Sequence, residues 1–155
     1  MLMRIEDEIK QPVFHSSFQK AYINVVYTAG WLSMRQAAVF KTFGLTLPQF
    51  NILRILRGQH PRPATVSLLI DRMLDKTSNA SRIVDRLEEK QLVTRQVCPA
   101  NRRAVDIRIT ATGLGFLRRI EDEMPDPAQV TGMAHLSPAE LDQLNGLLDK
   151  IRTRP

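Results

Sequence analysis

Two short stretches of the chain carry side chains suited to holding a polyanion. The first is Lys76, Thr77, Ser78, Asn79, Ser81 and Arg82, followed by Arg86. Short hydroxyl and amide groups approach base edges and phosphates closely, and arginine grips either with a two-pronged fork. The second is Arg102-Arg103, inside the basic turn Pro99-Ala100-Asn101-Arg102-Arg103. Adjacent arginines at a turn repel each other and gain little unless phosphates are near. A narrow minor groove is the other place that favours an inserted arginine. The chemistry on offer is recognition rather than catalysis. There is no glycine-rich phosphate loop and no nucleophile–base pair, and Asp71, Asp75 and Asp85 are helix charges with no histidine nearby. One cysteine, Cys98, excludes an internal disulfide, and three scattered histidines (His15, His60, His135) make no ligand set, so neither metal nor cofactor is expected.

The charge distribution points the same way. The 155 residues carry a net charge of +6, and residues 61–120 hold all of that excess, with 12 Lys+Arg against 6 Asp+Glu. A basic stripe confined to one region is the electrostatic footprint of a nucleic-acid partner. No apolar run reaches the ~18–20 residues that span a membrane. Met1 to Lys10 mixes acidic and basic residues without a signal-peptide core, so the expected address is a reducing cytoplasm.

Periodicity supplies the elements that position these residues. Phe14, Phe18, Tyr22, Val25, Ala29 and Leu32 recur at three- and four-residue steps and predict a long helix over 13–42. Thr46-Leu47-Pro48-Gln49 reads as a capped start for a second helix, with Leu47, Phe50, Leu53 and Leu56 buried. Thr65 caps a third helix along Val66, Leu69, Ile70, Met73 and Leu74. A fourth begins at Asp75 or Lys76 and reaches about Lys90, with Ala80, Ile83, Val84 and Leu87 inward. The period then changes. Val93 to Cys98 and the alternating Val105, Ile107 and Ile109 predict a hairpin around the 99–103 turn. Thr110 caps a fifth helix over 111–123. After a break at Pro125, Pro127 and Gly132, Ser137-Pro138-Ala139-Glu140 starts the last helix.

The third helix, a short turn and the fourth helix form a helix-turn-helix, and the basic hairpin behind it is a wing. That combination places a recognition helix in the major groove and lets the wing reach an adjacent groove. On the fourth helix, Ser78, Arg82, Asp85 and Glu89 face away from the apolar stripe, with Asn79, Ser81 and Arg86 on its flanks. A winged helix that binds only protein is the rival reading; it requires neither the arginine pair at the wing nor the Ser/Asn/Arg face.

The segment from Asn101 through Arg103, Asp106, Ile109 and Thr110 to Gly113 resembles the wing signature of the MarR family, and Ser81 to Val93 resembles its recognition helix and entry to the wing. The likeness extends over about 14–150. It implies a homodimeric winged-helix regulator, more often a repressor than an activator, on pseudo-palindromic double-stranded operators. Many such regulators are released by phenolic or other aromatic ligands, or by oxidants. By the same resemblance Arg103 enters the minor groove. Asn101 stands where the family carries an aspartate that orients this arginine. Gln91 replaces a glycine at the end of the recognition helix, which predicts strain there. The Pro-rich break at 125–138 departs from the family's nearly continuous fifth helix.

The expected fold is therefore mainly α with a small β-hairpin wing: a winged helix-turn-helix at 46–113, between an N-terminal dimerisation helix at 1–45 and C-terminal dimerisation helices at 114–155. A two-fold dimer would meet half-sites about 10 base pairs apart. A ligand pocket between the dimer region and the winged-helix part would draw on His15, Tyr27, Trp31 and Arg35; Trp31 and Arg35, four residues apart, share a helix face. Cys98 lies outside the first helix, where some relatives sense peroxides, and reads as an incidental thiol.

Overall fold

The computed structural model describes residues 3–98 and 101–153, with backbone alone for Cys98 and for 101–104. The chain divides into two units: residues 37–127, and residues up to Gln36 together with those from Ala128 on.

The 37–127 unit holds the winged helix. It takes in the end of α2 (Ser17–Thr42), then α3 (Leu47–Gln59), α4 (Val66–Arg72), α5 (Ala80–Glu89), the strands β1 (Val93–Cys98) and β2 (Asn101–Ile109), and α6 (Ala111–Glu123). α3 starts as its sequence predicts. Thr46 is extended, its hydroxyl accepts from the Gln49 N–H at 3.3 Å, and the Gln49 side chain accepts from the Thr46 N–H at 3.0 Å. This reciprocal pair satisfies two amides that a helix start leaves open. Ile52, Leu53 and Leu56 of α3, Leu69 of α4, Val84 and Leu87 of α5, Ile107 of β2, and Leu117 and Ile120 of α6 form one core from which water is excluded. Each such side chain contributes about 1.5–3 kcal/mol by leaving water.

β1 and β2 are antiparallel, with Val93 opposite Ile109 and Arg95 opposite Ile107. The register shifts between Val97 and Cys98, which lets β2 begin at Asn101. Asn101, Arg102 and Arg103 therefore belong to the strand by their backbone, not to a turn running to 103; Pro99 and Ala100 lie outside the described residues, as do the side chains of Arg102 and Arg103. Ala64 adds a bridge the sequence does not announce: its N–H donates to the Ile107 carbonyl at 2.9 Å and its carbonyl accepts from the Ile107 N–H at 2.8 Å.

After α5 the chain turns through Gln91, whose φ is +59°. That left-handed conformation costs a residue with a Cβ roughly 1 kcal/mol, and glycine almost nothing. Gln91→Gly should raise the thermal midpoint by about 2–4 °C, read from a calorimetric melt; an unchanged or lower midpoint would remove the strain argument.

The other unit consists of α1 (Ile5–Glu8), the first and larger part of α2, α7 (Pro127–Val130), a 3-10 turn (Met133–His135) and α8 (Pro138–Ile151). Two elements here escape the periodicity reading, α1 and α7, because four residues are too few to show a period. α6 stops at Glu123, with Met124 extended before Pro125, as a residue preceding proline must be. Ser137 and Glu140 form a second capping box at the start of α8.

The long helix begins at Ser17 rather than at 13, and much of the apolar face read from its sequence lies open. Phe18 is 87% exposed, and Tyr22, Val25 and Val26 are exposed as well. On α8, Leu147 and Ile151 are exposed too. Among the described residues nothing buries these side chains.

Candidate nucleic-acid interface

The site is built around the start of α5. The sequence predicts that helix from Asp75 or Lys76; it begins at Ala80, capped by Asn79, whose side chain accepts from the Arg82 N–H at 3.0 Å. The reason lies in the residues before it. The Asp75 carboxylate accepts from the Ser78 hydroxyl at 2.5 Å, the Thr77 hydroxyl at 2.7 Å and the Thr77 N–H at 2.9 Å. These bonds hold 75–78 in a turn and compete with helix formation. The same bonds, those from Ser78 and Thr77 foremost, hold the Asp75 carboxyl down at about 2, so it is ionised and the turn formed at any pH well above that value. The Leu74 N–H donates to the Asn51 side chain of α3 at 3.0 Å, which pins the turn to the core helix.

Lys76, Thr77 and Ser78 are thus turn residues and not helix residues. Lys76 is further committed: its ammonium donates to the carbonyls of Ile70 at 2.8 Å and Asp71 at 2.6 Å, closing the C-terminal end of α4. Ser81 and Arg82 are exposed on the first turn of α5, and among the described residues no carboxylate pairs with the Arg82 guanidinium. Arg86 is also exposed and meets Glu89 at 2.9 Å, an exposed ion pair of small worth.

One arrangement of charge was not legible in the sequence. Asp85 sits one turn beyond Arg82 on the exposed face, where a free carboxylate would repel phosphate. Arg95 of β1 takes it up. The Arg95 guanidinium pairs with Asp85 and, at 2.9 Å, with Glu88, and the Arg95 backbone N–H donates to the other Glu88 oxygen at 3.1 Å. The recognition helix and the wing strand are joined by this clamp, and one positive charge is shared between two acidic ones, halving their net charge. A sequence pattern offers no sign of it, because the partners lie on a helix and a strand. Arg108 of β2 is likewise engaged, donating to the Pro61 carbonyl at 2.5 Å.

The four pocket candidates do not gather in one place. Tyr27 and Trp31 line a cavity of about 380 Å³ with Met3, Ile5, Glu8, Asn24 and Thr28. Arg35 lies over the Trp31 ring at 4.7 Å and donates to the carbonyls of Val130 at 3.1 Å and Gln129 at 3.0 Å. His15 is exposed and is not among the residues lining that cavity. Among the described residues no group of His, Cys, Asp and Glu could hold a metal ion, and no helix is long and apolar enough to cross a membrane.

Comparison with known proteins agrees with this geometry. The model of the MarR family matches residues 45–105. The HTH-type transcriptional regulator MgrA of Staphylococcus aureus is 30% identical over 114 residues, which covers 73% of this chain and 74% of MgrA. A MarR transcription factor from Planctomyces limnophilus is 29% identical with a TM-score of 0.65, over 90% of this chain and 98% of that one. Sco3205, a MarR family transcriptional regulator of Streptomyces coelicolor solved in complex with DNA, has the same fold at a TM-score of 0.76 and 20% identity, over 90% and 89%. The recognition helix, its wing and these likenesses establish the chain as a member of the MarR family of winged-helix, DNA-binding transcriptional regulators, which are not enzymes.

Proposed function

We propose that the chain is a cytoplasmic repressor that binds a pseudo-palindromic operator as a homodimer and is released by a small aromatic effector. The observation that carries the operator reading is the first turn of α5. Ser81 and Arg82 stand exposed there, and the nearby acidic charges of Asp85 and Glu88 are held by Arg95. Arg82 is then an unopposed cation beside a helix N-terminus, whose backbone amides also favour phosphate. In this reading Thr77, Ser78 and Asn79 approach the backbone from the turn, Lys76 offers its remaining donor, and Arg86 trades Glu89 for a phosphate. Arg102 and Arg103 reach the minor groove from the wing.

The homodimer reading is supported by the uncovered apolar faces of α2 and α8. A second copy would bury Phe18, Tyr22, Val25, Leu147 and Ile151, which water otherwise covers at a cost of about 25 cal/mol per Å². Effector release is supported by the cavity at Tyr27 and Trp31. One feature favours the rival reading of a protein-docking winged helix: Leu74, at the turn before α5, is 82% exposed. Against duplex DNA that side chain would instead meet a thymine methyl.

The test is fluorescence anisotropy with the DNA immediately upstream of this protein's own gene, against a scrambled duplex, across a salt series. The expected outcome is a preference of about a thousandfold and a steep fall in affinity with salt. Equal, weak binding to both duplexes would favour the protein-docking reading.

A further inference from the structure

The cavity between α1 and α2 has a composition that selects the charge of its occupant. Among the described residues its only charged lining residue is Glu8. The Glu8 carboxylate accepts from the Tyr27 hydroxyl at 2.6 Å, and among the described residues no cation pairs with it. Of the cations of the same region, Lys10 is exposed and does not line the cavity, and Arg35 lies over the Trp31 ring without lining the cavity. Arg4 and Lys20 both meet Glu6, at 2.9 and 2.5 Å, and Arg35 is tied to the carbonyls of Gln129 and Val130. The bond to Glu8 raises the Tyr27 phenol above its ordinary value, so Tyr27 remains the neutral donor beside the Glu8 carboxylate. Around that charge stand the rings of Tyr27 and Trp31 with Met3 and Ile5, and Asn24 and Thr28 supply polar edges. A carboxylate beside two aromatic rings is the chemistry that holds an ammonium group carrying an apolar body. The volume, about 380 Å³, suits a small organic ligand.

We propose that this cavity binds a small organic cation, an ammonium carrying an aromatic ring, with Glu8 as counter-ion and the Tyr27 and Trp31 rings as walls. The inference deepens the effector reading above and rests on it, and it narrows the aromatic effector to one with a positive charge. At about 3.6 residues per turn, Tyr27 and Trp31 stand on the side of α2 opposite Phe18 and Tyr22. A second copy seated on the Phe18 face leaves the cavity open.

The probe is benzyltrimethylammonium, titrated calorimetrically into the whole protein without DNA. Emission from Trp31, the sole tryptophan, serves as the site-specific reporter. Saturable binding accompanied by a change in Trp31 emission is expected. Benzoate should not bind, and phenol should bind at least about tenfold more weakly, since neither can pair with a carboxylate as a cation does. Glu8→Gln keeps an acceptor for the Tyr27 hydroxyl and should weaken the cation about tenfold at an unchanged thermal midpoint. Equal binding of phenol or benzoate, an unaffected Glu8→Gln variant, or no saturation at millimolar probe would each overturn the proposal. Operator affinity measured with and without the probe separates the two readings. Binding without release sinks the effector reading and keeps the site; release by an anionic aromatic, with no cation binding, does the reverse.

Discussion

Gly113→Ala should lower the thermal midpoint by about 10 °C. A Cβ at this position would lie 2.3 Å from the Leu92 carbonyl oxygen and 2.8 Å from Ile109 Cγ1. The first of these is backbone and cannot swing aside. The Leu92 carbonyl already accepts from the Thr110 N–H at 3.0 Å. The Thr110 hydroxyl in turn accepts from the Gly113 N–H at 2.9 Å and donates to the Gln91 carbonyl at 2.8 Å. One methyl group therefore pushes apart the junction where the recognition helix, the second wing strand and α6 meet. Overpacking of this kind costs about 1–3 kcal/mol, and a displaced buried hydrogen bond adds about 1 kcal/mol more. At roughly 2–4 °C per kcal/mol for a chain of this size, the drop is about 10 °C. Gly115 is the internal control, with nothing within 4 Å of its would-be Cβ. Gly115→Ala should leave the midpoint unchanged or raise it slightly, since alanine is the better helix former by about 1 kcal/mol. Circular-dichroism melts of the two variants decide the matter; equal midpoints would remove the close approach.

Replacing Arg102 and Arg103 together by alanine should reduce operator affinity at least about a hundredfold while dimerisation and thermal midpoint stay put. In the proposed complex each wing brings both guanidiniums to the minor groove and its phosphates. Each contact of that kind is worth about 1–3 kcal/mol, and a dimer carries the pair twice. The apolar core that sets the midpoint is made chiefly by α3 to α6 and by Val93, Ile107 and Ile109 of the strands. The plot of affinity against salt should also flatten, because fewer counterions are released. Anisotropy titrations at several salt concentrations give both quantities. Unchanged affinity would remove the wing from the interface and leave α5 alone to read the duplex.

Much of this architecture was legible in the residues, and the misses have identifiable physical causes. Capping chemistry is local, so Thr46 with Gln49 and Ser137 with Glu140 mark their helix starts within a residue. The recognition helix was misplaced because Lys76 to Ser78 carry no strong helix breaker; the Asp75 side chain bends them into a turn through bonds that only coordinates reveal. Periodicity did locate the apolar face of the long helix. Phe18 and Tyr22 indicate that something must cover that face, but a repeat in one chain does not specify what does. At the site, exposure on α5 was readable for Ser81 and Arg82. The engagement of Lys76 by α4 and of Asp85 and Glu88 by Arg95 was not, because each depends on where a second element lies.

The Arg95 clamp has a consequence for how an effector could act. A helix and a strand tied through one guanidinium turn as a single reading head, so a signal has little to gain by bending either against the other. In a dimer the adjustable quantity is the distance and phase between two such heads. Double-helical DNA repeats every ~10 base pairs, so a small error in that phase puts both heads out of step at once. A stiff head thus converts a graded change in spacing into a steep loss of grip.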